Sequence, residues 1–173
     1  RAMRLLVALE ARLATAPDGT ISSSTGVEGP AFWERYLDVF EHVTVAARTM
    51  APSAGDDTRH PTIEGPRLTV AALPDYHGPW EYLQRRAGVR TALRRAVADA
   101  DALCLRAPGP IAAAAWRLRG RRPFAVEVVG DPREALAPGA VRGVVRPLAR
   151  HRLTRELAAM CRTAEAVGYV TEE

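Results

Sequence analysis

Short apolar runs bounded by charge recur along this chain. They alternate with stretches whose apolar residues return every three or four positions. Arg4–Glu10 (RLLVALE), His42–Arg48 (HVTVAAR), Leu68–Leu73 (LTVAAL), Ala102–Arg106 (ALCLR), Phe124–Val129 (FAVEVV) and Ala166–Val170 (AVGYV) carry the near-continuous apolarity of strands buried on both faces. Between them the period changes. Phe32, Trp33, Tyr36, Leu37 and Phe40 mark one face of a helix opening near Pro30, where a missing amide hydrogen is harmless. Val89, Leu93, Ala96, Val97 and Ala100 trace a second stripe, with Arg90, Arg94 and Arg95 outside it. A helix is predicted from Pro110 to Arg119. Another starts near Pro147, with Leu153, Leu157, Met160, Cys161 and Ala164 opposite His151, Arg152, Arg155 and Arg162. Thr171 has the character of a helix N-cap. Strands alternating with helices predict an α/β domain, a doubly wound parallel sheet of Rossmann type.

In such sheets ligands collect outside the carboxyl ends of the strands. That rule selects the loops after Glu10, Arg48, Arg106 and Val129. The first contains DGTISSSTGVEG, residues 18–29, and roughly twenty residues separate strand from helix, a length suited to a shaped wall or lid. Its glycines, Gly19, Gly26 and Gly29, do not follow the G-x-G-x-x-G spacing of a dinucleotide cradle. The G-x-x-x-x-G-K-[ST] phosphate loop is also missing, because the chain has no lysine, so classical NAD binding and P-loop hydrolysis are both weak readings. Thr20, Ser22, Ser23, Ser24 and Thr25 supply hydroxyls that donate and accept, and backbone amides near Gly26 suit an anion. The competing reading is a plain solvent-exposed loop. As a substrate wall, residues 20–25 are expected to be dispensable for stability, with helix one anchored independently by Phe32, Trp33 and Phe40.

Arg106 ends a buried strand in LRAPG, and Asp131 follows another in VVGDP, where Gly130 permits close approach. Either residue marks a site or merely a boundary: Arg106 the edge of the core, Asp131 a turn rather than a base or hydroxyl-orienting carboxylate. Arg48 and Glu10 are further strand-end charges.

Apolar residues make up 47% of the chain and charged residues 25%, so 173 residues form one ordinary globular domain. No apolar run reaches the length of a membrane span. Cys104 and Cys161 sit inside apolar patterns as reduced core thiols, and the four histidines lack metal-ligand spacing. All 24 cationic residues are arginine and the net charge is +4, which favours anionic partners without choosing among them. Arg142, Arg146, Arg150, Arg152 and Arg155 fall within fourteen residues, a candidate face for an anionic membrane surface or a solvated helix face. Aromatic residues do not interleave with these arginines, which argues against nucleic acid.

LLVALEARL, the hydroxyl-rich loop, FWERYLDVFEHVTVAAR, LCLRAPG, FAVEVVGDP and AVGYVTEE occur in an order that resembles the N-terminal half of bacterial retaining glycosyltransferases of the two-Rossmann-domain (GT-B) architecture, the glycosyltransferase group 1 or family 4-like proteins. The resemblance covers essentially the whole chain. It implies an acceptor-side domain over residues 1–173 whose C-terminal donor-binding mate is absent, so that the chain alone is inactive as a transferase. It implies a nucleotide-sugar donor as co-substrate, no cofactor and no metal, and a sugar or lipid-linked acceptor in polysaccharide, glycolipid or natural-product biosynthesis. The setting implied is cytoplasmic, peripheral on the inner membrane face where Arg146, Arg150, Arg152 and Arg155 contact it. By position, Ser24, Thr25, Gly26, Arg48, Arg106 and Gly130 would line the acceptor and phosphate cleft, with Asp131 the catalytic candidate where many relatives carry a histidine. Half of a nucleotide-sugar epimerase and a stand-alone Rossmann-type binding module are the alternatives.

Overall fold

The structure, a computed structural model, describes residues 3–23, 30–51, 62–130 and 145–170, without the side chains of Pro30 and residues 145–150. Strands β1 (Arg4–Thr15), β2 (Ile21–Ser23), β3 (His42–Met50), β4 (Leu68–Pro74), β5 (Ala102–Ala107), β6 (Phe124–Val128) and β7 (Ala166–Tyr169) form one sheet. Helices α1 (Pro30–Leu37), α2 (Gly78–Ala98), α3 (Pro110–Leu118) and α4 (Val145–Thr163) cover it. The six parallel strands run β4-β3-β1-β5-β6-β7, the order of the doubly wound Rossmann sheet, with the reversal of direction between β1 and β5. The predicted fold class is the observed one.

Each apolar run lies where its neighbours can bury it. Leu5 to Leu9 are all buried, because β1 pairs with β3 through Leu5↔Val43 and with β5 through Leu5↔Ala102. Side-chain alternation then divides the core. Leu6, Ala8, Leu103, Leu105 and Val126 face α2, α3 and α4, meeting Val89, Leu93, Ile111 and Met160. Leu5, Val7, Leu9, Val45 and Cys104 face α1, meeting Trp33 and Tyr36. Inner residues Ile111 to Ala115 of α3 are all buried, and the alanines let this helix lie close to both sheet and α2.

Three features depart from the sequence reading. First, the expected loop 18–29 is interrupted by β2, which pairs antiparallel with β1 through Leu13↔Ser23 and Thr15↔Ile21. Thr62 bridges to Ser22 on the other side, and the Ile63 amide donates to the Ile21 carbonyl at 3.0 Å. Ile21 and Ser23 are consequently buried, so this part of the loop belongs to the core, which runs against the expectation that residues 20–25 are dispensable for stability. Second, α2 begins at Gly78 rather than near Val89. Pro79 suits its first turn, and the Glu81 carboxylate reaches back to accept from the His77 amide at 2.8 Å, satisfying a donor at the helix start. Third, α1 stops at Leu37, and Arg67 donates to the carbonyls of Leu37, Phe40 and Glu41, satisfying the helix end.

β1 also carries an irregularity with local consequences. Ala8 pairs with Ala46 and Arg12 with Arg48, so β1 uses four steps where β3 uses two. The extra residues bulge at Leu9–Ala11, at the carboxyl end of the central strand, where such bulges re-aim side chains.

Candidate functional site

Glu10 sits in that bulge, beside the point where strand order reverses. Its Oε1 accepts from the Ile111 amide at 2.7 Å, in the first turn of α3. Its Oε2 accepts from the Tyr76 hydroxyl at 2.8 Å, and Arg48 Nη2 lies 3.9 Å away. Gly109 is required here. A side-chain carbon at that position would lie 2.5 Å from Glu10 Cγ and 2.7 Å from Oε1. β5 reaches α3 through a cis Ala107–Pro108 peptide. Burial raises the Glu10 carboxyl above the ordinary range, against the lowering effect of the Ile111 amide, the Tyr76 hydroxyl and Arg48. The first turn of α3, a helix start beside the reversal of strand order and so a place that suits an anion, is already filled by the chain's own carboxylate.

Arg48 supports this arrangement. It donates through Nη1 to the Tyr76 carbonyl at 3.0 Å and through Nη2 to the Glu10 carbonyl at 2.6 Å, and its guanidinium lies over the Tyr76 ring. Farther out on the rim, Arg12 makes two bonds to Asp75, at 2.9 and 2.7 Å, and approaches His77 Nε2 at 2.8 Å. The Arg12 hydrogen bonds hold the Asp75 carboxyl below its usual range.

A second polar cluster occupies the other face of the sheet, under α1. Arg106 and Glu127 are register partners on β5 and β6, with Arg106 Nε 3.2 Å from Glu127 Oε2. That approach does not meet hydrogen-bond geometry, and the Nε is buried. Glu127 Oε1 accepts from the Tyr36 hydroxyl at 2.7 Å, and Arg35 Nη2 stands 3.5 Å from both carboxylate oxygens. Phe32 stacks with both guanidiniums, at 4.4 Å for Arg35 and 5.0 Å for Arg106. Burial, reinforced by the charge of Glu127, pushes the neighbouring Cys104 thiol up to about 12. Burial likewise keeps the Tyr36 phenol protonated.

Of the residues singled out in the sequence, Arg48 and Arg106 thus share the carboxyl edge but stand on opposite faces, in separate clusters. Gly130 is exposed, with open space around it. Arg152 and Arg155 are exposed on α4. Ser24, Thr25, Gly26 and Asp131 lie outside the described residues, as do the side chains of Arg146 and Arg150. Glu127, Arg35 and Tyr36 were missed as site residues. The available signal was a lone acidic residue inside the apolar strand FAVEVV. A depression lined by Arg4, Asp99, Asp101 and Arg122 lies at the opposite, amino edge of the sheet, and there Arg122 bonds the carbonyls of Ala98 and Ala100 at the end of α2. Among the described residues no three of His, Cys, Asp and Glu gather as a metal-ligand set, and no helix is long and apolar enough to cross a membrane.

No protein-family model matches the chain, and no curated protein matches it. Among solved structures, the chain is similar to a crystal structure of a UGT transferase from Siraitia grosvenorii in complex with UDP, with 13% identity and a TM-score of 0.38. The match covers 75% of this chain and 28% of that one. A likeness at this level carries no argument about chemistry, and the fold assignment rests on the strand order itself.

Proposed function

We propose that this chain is the acceptor-side half of a nucleotide-sugar-dependent glycosyltransferase, with the donor gripped by a second Rossmann domain. The carrying observation is Glu10. Its carboxylate fills the first turn of α3 at the strand-order reversal, so a donor diphosphate placed there would meet a fixed negative charge. A helix start already taken by the chain's own carboxylate is unsuited to a diphosphate, which supports leaving the donor to a partner domain. Sequence resemblance in FWERYLDVF and VEVVGDP supports the same assignment. In this reading Asp131 orients the attacking acceptor hydroxyl, and Ser24, Thr25 and Gly26 wall the cleft. Arg152 and Arg155 belong to a face that meets anionic lipid at the inner membrane surface.

The test is a pair of titrations followed by NMR, one with UDP, GDP, ADP and NAD, the other with a panel of free sugars and short oligosaccharides. Sugars are expected to perturb residues at the carboxyl ends of β5 and β6, and nucleotides to leave the Ile111 amide unmoved. Nucleotide binding that displaces Glu10 from that amide would refute the assignment. In the complete enzyme, acceptor-dependent release of nucleoside diphosphate is the positive result, and this chain alone is expected to give none.

A further inference from the structure

Several of the described arginines spend their donors on backbone carbonyls: Arg48 on two, Arg67 on three, Arg122 on Ala98 and Ala100. Arg106 is an exception. Its side chain is only 15% exposed, yet none of its five N–H donors makes a hydrogen bond to a described residue. Burying a guanidinium in that condition is costly unless something else satisfies it. Glu127 offsets its charge incompletely, because the same carboxylate accepts from Tyr36 and also faces Arg35. Two guanidiniums against one carboxylate leave the cluster at +1, since burial holds Tyr36 neutral.

The cluster is also held in place and reachable. Both guanidiniums lie against the Phe32 ring before any ligand arrives. On the open side, Gly168 is the register partner of Glu127 on β7, and nothing lies within 4 Å of where its side chain would begin. Val129 and Gly130 are exposed just beyond. Among the described residues, then, the way over β6 and β7 to the outer edges of Arg106 and Arg35 is open.

We infer that Arg106 and Arg35, converging on Glu127 beside Phe32, form an oxyanion subsite for an acidic acceptor, one bearing a carboxylate or phosphate near the reacting hydroxyl. The identity of the molecule as an acceptor rests on the function proposed above; the anion chemistry rests on the cluster alone. Glu127 acts as a placeholder that keeps the two arginines together and yields part of their hydrogen-bonding capacity to the incoming anion.

The experiment follows the Arg Nε–Hε resonances at low salt during titration with inorganic phosphate, glucuronate, glucose 6-phosphate and glucose. The Arg106 signal is expected to move with the anions and not with glucose, and the relative response to glucuronate and glucose 6-phosphate distinguishes carboxylate from phosphate. Arg106→Gln should abolish the response, and Arg35→Gln, at a half-exposed position that folding tolerates, should weaken it roughly three- to tenfold. Glu127→Gln raises the cluster charge by one and should tighten anion binding by a similar factor. A response to glucose equal to that of the anions, or unchanged anion affinity in Arg35→Gln, would overturn the subsite. So would weaker binding in a folded Glu127→Gln protein. The readout uses no donor, so it separates from the nucleotide titration. Anion binding in a protein that also binds nucleotide at α3 would keep the subsite and discard the acceptor; sugar transfer without anion binding would do the reverse.

Discussion

The contact between Gly109 and Glu10 lends itself to a double-mutant cycle. In Gly109→Ala the new carbon would stand 2.5 Å from Glu10 Cγ, 2.7 Å from Oε1 and 2.9 Å from Cδ, so the carboxylate must move. Backbone strain is no part of this, because Gly109 has an extended φ of 170°. As a helix-capping change, Gly to Ala costs about 1 kcal/mol or less. Overpacking if the carboxylate stays, or loss of its bond to the Ile111 amide if it moves, adds about 1–3 kcal/mol, giving roughly 1–4 kcal/mol in all. Glu10→Ala orphans the Ile111 amide and the Tyr76 hydroxyl, while Arg48 keeps its two carbonyl partners, so about 2–5 kcal/mol is expected. With Glu10 gone the obstacle to Gly109→Ala is gone as well. The second substitution should then cost no more than the cap change, leaving a coupling of about 2 kcal/mol. Urea unfolding followed by circular dichroism measures all four corners, and in a domain of this size each kcal/mol corresponds to about 2–4 °C in Tm. Costs that add to within about 0.5 kcal/mol would refute the claim that Gly109 exists to admit the carboxylate.

Other outcomes follow from the same contacts. Because burial raises the Glu10 carboxyl, the native state holds that proton more tightly than the unfolded chain; stability should fall as pH rises from about 4.3 through the raised value, and Glu10→Gln should lose that slope in urea titrations across pH. Deleting residues 20–25 removes β2 with its buried Ile21 and Ser23 and should cost several degrees of Tm; an unchanged Tm would show that β2 adds nothing. Trp33→Ala, at a wholly buried position, should cost about 3–5 kcal/mol in denaturant unfolding. A thiol reagent at pH 8 should label the half-buried Cys161 and leave Cys104 untouched until the protein unfolds, as peptide mapping would reveal.

The parallel sheet was legible because each of its strands is an apolar run too short for a helix, and periodicity identified the inner face of α4 and the second half of α2. The first half of α2 was illegible because Trp80 and Leu83 point outward, 69% and 50% exposed, so its apolar residues announce no buried face. β2 escaped notice because three residues with one aliphatic carry no period; its pairing depends on β1 continuing to Thr15 and on Ile63 arriving from far along the chain. At the site, Arg106 lies one residue before the end of β5 as expected, while β1 and β3 run on past Glu10 and Arg48 to Thr15 and Met50. Which face each side chain takes depends on the bulge in β1 and on strand parity between neighbours, and neither is visible in one strand read alone.

The bulge at Leu9–Ala11 has an architectural consequence. By absorbing the mismatch between the lower half of β1 and its upper half, it sets the hairpin above two residues out of step with the ladder below, while Arg12 to Ala14 go on pairing with Arg48 to Met50. Length can be added or trimmed at this bulge, two residues at a time, with Leu5 to Ala8 keeping their neighbours. The central strand is a fixed foundation carrying an adjustable upper storey.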